Sequence, residues 1–111
     1  MNLKDFLEYM NTIPYGEGEA YPSKDTIETA KSLYNVLIEN GYNVQVSGNG
    51  ENELGLYLRK GKKLFDFLIT DKNISYCYGI SGELSHAVGE DDTTKTNTEL
   101  LELVKNHFQD R

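Results

Sequence analysis

Between residues 42 and 80 the chain carries four short apolar runs separated by turn-forming residues, and this stretch commits it to a fold built on a sheet. The runs are Tyr42-Asn43-Val44-Gln45-Val46, Leu54-Gly55-Leu56-Tyr57-Leu58, Leu64-Phe65-Asp66-Phe67-Leu68-Ile69 and Ile74-Ser75-Tyr76-Cys77-Tyr78. Each is of strand length, and most positions alternate apolar with polar or small, as a sheet with one buried face requires. The breaks, Ser47-Gly48-Asn49-Gly50, Lys60-Gly61-Lys62 and Asp71-Lys72-Asn73, supply residues that tolerate positive φ or close a tight hairpin. The pattern predicts a four-stranded antiparallel meander.

The alternation also assigns faces. Val44 and Val46, then Leu54, Leu56 and Leu58, then Phe65, Phe67 and Ile69 form inward rows. In the fourth run either Ile74, Tyr76, Tyr78 and Ile80 or Ser75, Cys77 and Gly79 face inward, and bulk favours the first set. Tyr57 and Asp66 then fall on the outer face. With Tyr76 and Tyr78 inward, their hydroxyls need a partner or the rim of the core.

Helices flank the meander. Leu3, Phe6, Leu7 and Met10 repeat at i, i+3, i+4, i+7, which predicts a short amphipathic helix ended before Pro14. Residues 13–22, with two glycines and two prolines, read as a loop. Ser23 is a good N-cap for a second helix that stops at Gly41, and Asp25 favours its positive end. Ile27, Ala30, Tyr34, Leu37 and Ile38 share one stripe of it, with Leu33 at the margin. Thr96 and Glu99 form a capping box for a last helix, in which Leu100, Leu101, Val104 and Phe108 face the core. Residues 81–89 fit either a longer strand or a loop, and residues 90–94 read as a turn or mobile segment. The stretch 79–95 is thus the longest predicted loop, and its length invites a functional explanation. The expected fold is α+β: two N-terminal helices, the meander and a C-terminal helix, with the helices packed on one sheet face.

With 111 residues, 38% hydrophobic and 26% charged, the chain suits a single domain, 1–111, with one core. No apolar run approaches the roughly 18 residues of a membrane span, and Met1-Asn2-Leu3-Lys4-Asp5 lacks a basic-then-apolar leader pattern. Its single cysteine, Cys77, excludes an intrachain disulfide and suits a reducing, cytoplasmic setting. The formal charge of −7 repels phosphate backbones and anionic membranes, which disfavours direct nucleic-acid binding.

No catalytic signature stands out, and neither a metal nor a cofactor is expected. His86 and His107 are the only histidines and form no HxH or HxxxH pair. His107 sits near a helix C-terminus, where a cation suits the dipole. Cys77 lies mid-strand between tyrosines, where burial keeps a thiol inert unless a cation is near. The Gly48-Asn49-Gly50 and Gly16-Glu17-Gly18 pairs are too short for a phosphate-binding fingerprint. Arg59-Lys60-Gly61-Lys62-Lys63 gathers four of eleven positive residues at one hairpin tip, either as a solvated turn that deters edge aggregation or as a local anion contact.

Tyr15-Gly16 and Gly18, Pro22-Ser23 with Ile27 and Ala30, Leu54-Gly55-Leu56 before Lys60-Gly61, and Ile74-Ser75-Tyr76 together resemble a widespread group of small uncharacterised bacterial and phage proteins. These carry an aromatic-Gly loop, a Pro-Ser capped helix and a Gly-turn meander. The resemblance spans about residues 15 to 79, lacks the tryptophan such proteins often carry, implies no activity and points to a mobile-element or prophage setting.

Two function classes follow. The first is a non-enzymatic acidic protein-binding module, an inhibitor or counter-defence (anti-CRISPR-like) factor that docks on a basic partner through Glu83, Glu90, Asp91, Asp92, Tyr57, Tyr76 and Tyr78. The alternative is a small-ligand-binding protein or minor enzyme using the 79–95 loop, with His86 and Cys77 at its pocket and Glu83 nearby. Self-association through an exposed sheet face is a third arrangement.

Overall fold

The computed structural model describes residues 2–12, 22–48, 52–71 and 73–109, apart from the side chains of 9–12 and 83–87. It is an α+β fold of three helices and a five-stranded antiparallel sheet. In chain order these are α1 (Leu3–Thr12), α2 (Lys24–Glu39), β1 (Gln45–Gly48), β2 (Leu54–Lys60), β3 (Lys63–Ile69), β4 (Ile74–Ile80), β5 (Glu83–Thr93) and α3 (Asn97–Phe108). The strand order is β1-β2-β3-β4-β5, a pure meander.

The expected four strands are therefore five. Residues 83–93, read as a loop or strand followed by a turn, pair with β4 after the two-residue turn Ser81-Gly82, where Gly82 has φ +85°. Two register breaks hide this strand from a period-two reading. One falls between Ile74 and Tyr76, opposite Asp91 and Asp92, and the other between Tyr78 and Ile80. An extra residue in one strand flips every later side chain to the other face. Asp92 at φ +48° is the unusual backbone of the first break. The loop that was to hold the alternative pocket is thus largely β5. The first strand is also displaced, running over Gln45–Gly48 in place of 42–46.

Parity within β1 to β4 holds. Val46 pairs with Leu56, Leu56 with Phe67, and Phe67 with Tyr76, so one inward row crosses four strands. Leu58, Phe65 and Tyr78 form the next row, and Leu54, Ile69 and Ile74 the one on its other side. These residues join Leu3 and Phe6 of α1, Ala30, Leu33 and Leu37 of α2, and Leu100, Leu101, Val104 and Phe108 of α3 in one core. Phe65 is its aromatic centre, with ring centroids 4.8 Å from Phe67 and 4.9 Å from Tyr78. All three helices lie on that face of the sheet, as expected.

The stripe of α2 is shifted from the expected one. Thr26, Ala30, Leu33 and Leu37 are buried, while Ile38 is 41% exposed. Spacing of 4, 3 and 4 residues puts Leu33 at the centre of the face rather than at its margin. Thr26, the one buried polar residue of the described core, belongs there because its hydroxyl is satisfied. Its Oγ1 donates to Asn52 Oδ1 at 3.0 Å and lies 3.1 Å from Ser23 Oγ. Ser23 caps the helix by accepting from the Thr26 amide, while its own amide donates to Asn52 Oδ1 and its hydroxyl to Asp71. Asn52 holds φ +56° in the β1–β2 connection, a conformation asparagine tolerates better than most residues. The start of α2 is therefore locked to two turns of the sheet, with the Thr26 amide taken up by the cap.

At α3 the capping box forms as expected: Glu99 N donates to Thr96 Oγ1, and Thr96 N donates to Glu99 Oε1. Those bonds hold the Glu99 carboxyl below its ordinary range.

Candidate functional site

The sheet has a second face that none of the described helices covers. Strand alternation delivers two cross-strand rows to it. One runs Gln45–Tyr57–Asp66–Cys77–Gly89, and the other runs Ser47–Gly55–Leu68–Ser75 with Asp91 beyond it. Glycine at 55 leaves no side chain at one place among larger ones. The result is a groove of about 420 Å³, with Ser47, Tyr57, Asp66, Leu68, Cys77 and Asp91 among its lining residues. No lysine or arginine lines it among the described residues.

Asp66 is central. It pairs with Tyr57 on one side and with Cys77 on the other. Its carboxylate makes no hydrogen bond or ion pair with any described residue, and partial burial raises its pKa above the ordinary carboxylate range. Asp66 is nonetheless an exposed position of β3, so solvent screens much of that effect. Cys77 is exposed. It lies on the outer face, opposite to what a buried mid-strand thiol would give.

The expected site residues separate onto the two faces. Tyr57 and Asp91 reach the groove, as does Cys77. Tyr76 and Tyr78 point the other way. Tyr76 is 9% exposed, and its hydroxyl donates to Glu90 Oε1 at 3.0 Å. The same oxygen accepts from Thr93 Oγ1 at 3.1 Å, and Lys95 Nζ lies 3.9 Å away. Glu90 therefore satisfies a core tyrosine, as the inward reading of Tyr76 demanded. Burial and this carboxylate both raise the Tyr76 pKa. Tyr78 is half-buried against Phe65 and the His107 ring, at centroid distances of 4.9 and 4.8 Å. Asp92 is exposed at the register break, where its amide donates to Ser75 Oγ. Glu83 and His86 lie in β5, and their side chains fall outside those described.

The basic hairpin resolves differently from either expectation. Lys60 and Lys63 share an inward row, and their ammonium groups donate to the carbonyls of Phe108 and Gln109, at 3.2 and 3.1 Å. Two cations thus cap the negative end of α3. Arg59 Nε donates to Gly61 O at 2.9 Å and braces the turn, in which Gly61 has φ +61°. Three of the four charges serve the fold. His107, in the last turn of α3, lies 3.1 Å from the Gly79 carbonyl through Nε2, which ties the helix to β4.

Among the described residues no three His, Cys, Asp or Glu side chains gather as a metal ion would need. No helix is long and apolar enough to cross a membrane. Sequence reasoning placed Tyr57 and Asp66 on the outer face but gave Asp66 no role. The signal was present: a lone acid in the middle of the apolar run Leu64–Ile69. Comparison of the chain with known protein families, with curated proteins and with solved structures finds no match.

Proposed function

We propose that the protein is a non-enzymatic binding module whose uncovered sheet face receives a basic partner protein. The observation that supports it most is Asp66, a partly desolvated carboxylate without a described cation, set in a groove whose other described charge is Asp91. Charge complementarity at such a face steers association and selects partners more than it sets affinity. Tyr57 and Leu68 supply the apolar and aromatic surface that anchors an interface, and the formal charge of −7 favours a basic partner at long range. Two identical copies meeting face to face would oppose Asp66 and Asp91 to one another, so a heterologous partner suits the face better than self-association. Of the acidic residues of the expected interface, Asp91 and Asp92 are kept with Glu83, whose side chain lies outside those described, Asp66 is added, and Glu90 is assigned to the fold. The resemblance to small bacterial and phage proteins implies no activity but points to a mobile-element setting, in which an inhibitor or counter-defence role is the form of binding module proposed.

The test immobilises the wild-type protein and a variant carrying Asp66→Lys and Asp91→Lys, and compares what each retains from an extract of the native host. A basic protein held by the wild type, lost on the variant and released by salt is the expected result. Identical retention by both proteins refutes this face as the interface.

A further inference from the structure

We propose that the group this face receives is an arginine side chain of the partner, its guanidinium paired with the Asp66 carboxylate and laid against the Tyr57 ring. The inference rests on the reading of the face as a partner-binding surface and names what that surface selects.

The register sets the geometry. Tyr57 lies directly across from Asp66 on the outer face, and such pairs hold their β-carbons about 4.5 to 5.5 Å apart. One flat cation can therefore touch both the carboxylate and the ring. Cys77 flanks Asp66 on the other strand and Leu68 follows it on its own strand, while Arg59, the diagonal neighbour on the same face, donates through Nε to the Gly61 carbonyl in the turn. Gly55, two residues before Tyr57, places no side chain beside the ring.

The chemistry then chooses between the two basic side chains. A guanidinium is planar, presents two parallel N–H donors to a carboxylate and stacks on aromatic faces. It is also weakly hydrated, so it loses less than an ammonium on entering a groove that already desolvates Asp66. Burial has raised the Asp66 pKa, and an incoming cation reverses that cost by favouring the charged form. Lysine, a compact and strongly hydrated charge, gains the Coulomb attraction but neither the fork nor the stacking. Asp91, on the same face, adds attraction for either cation and so does not discriminate between them.

The experiment titrates labelled octa-arginine and octa-lysine peptides, equal in charge, into the protein at about 0.15 M salt, where exposed charges are screened beyond about 8 Å. The wild type is expected to bind octa-arginine at least about threefold more tightly, the scale of an exposed guanidinium–aromatic contact. Tyr57→Leu should abolish that preference by lowering octa-arginine affinity to that of octa-lysine on the same variant, and Tyr57→Phe, which keeps the ring and disturbs the fold least, should retain it. Asp66→Asn should weaken both peptides, octa-arginine more. Equal affinities on the wild type, with both weakened by Asp66→Asn, overturn the arginine anchor and leave the basic-partner reading standing. Loss of the preference in Tyr57→Phe also overturns it, because the ring remains. Peptide binding that ignores Asp66→Asn removes the face from the mechanism and the arginine anchor with it.

Discussion

Replacing Gly89 with alanine tests whether β5 docks on β4 as described. Gly89 pairs with Cys77. A β-carbon built there would stand 2.7 Å from the Tyr76 carbonyl oxygen and 3.4 Å from both the Cα and Cβ of Cys77. The first distance is shorter than real β-carbons reach, and the atom met is backbone held between two strands, so the ladder itself must move. Forced overpacking of this kind costs about 1–3 kcal/mol. Against it stands the conformational entropy that glycine loses in a strand, worth about 0.5–1 kcal/mol in alanine's favour. The balance is a net loss centred on about 1 kcal/mol and at most about 2.5 kcal/mol, or a fall in Tm of about 5 °C and at most about 11 °C for a domain of this size. Thermal unfolding followed by circular dichroism reads it directly. Gly48→Ala is the control: its β-carbon would meet only the Phe6 ring, at 3.2 Å, and a ring edge can give where a backbone carbonyl cannot. The control should therefore lose less. A Gly89→Ala protein as stable as the wild type would refute the close approach of β5 to β4, and with it the fifth strand at this register.

Two further substitutions read the site and the core. Asp66→Asn should stabilise the protein at neutral pH, because the folded-state pKa is raised by burial and the ionised carboxylate is tolerated better unfolded. A raised carboxyl binds its proton more tightly in the fold, so wild-type stability recovers as pH falls through the folded pKa. The advantage of Asn should then vanish below about pH 3.5, where the acid is protonated in both states; an advantage that persists there would show that desolvation of the charge is not its cause. Thr26→Val keeps the shape of a fully buried residue but leaves Asn52 Oδ1 and Ser23 Oγ each without one partner. A loss of about 1–3 kcal/mol in denaturant unfolding is expected, and a neutral result would mean that water reaches those groups.

Local chemistry wrote most of the fold into the sequence. Ser23 and Thr96 mark helix starts by what their own side chains do within three residues, and both capping arrangements are present. The alternation of β2 and β3 sorted Leu56, Leu58, Phe65 and Phe67 inward and Tyr57 and Asp66 outward, because side-chain direction in a strand follows from position parity alone. The core and the composition of the open face were thus legible without coordinates. β5 was not, since register breaks destroy the parity signal and its acids resemble a turn. Pairing with β4 stabilises that strand, and nothing local announces it. The roles of three charged residues were equally hidden. Lys60 and Lys63 meet the end of α3 across 48 and 46 residues of chain, and Glu90 reaches Tyr76 across 14. A charge looks the same in sequence whether it is solvated, caps a helix or satisfies a buried hydroxyl. Sequence alone determined which side chains lie on which face of each regular element. Tertiary structure decided which charges those elements use internally and which, like Asp66, they leave open, because electrostatic partnership depends on distance through space and not along the chain.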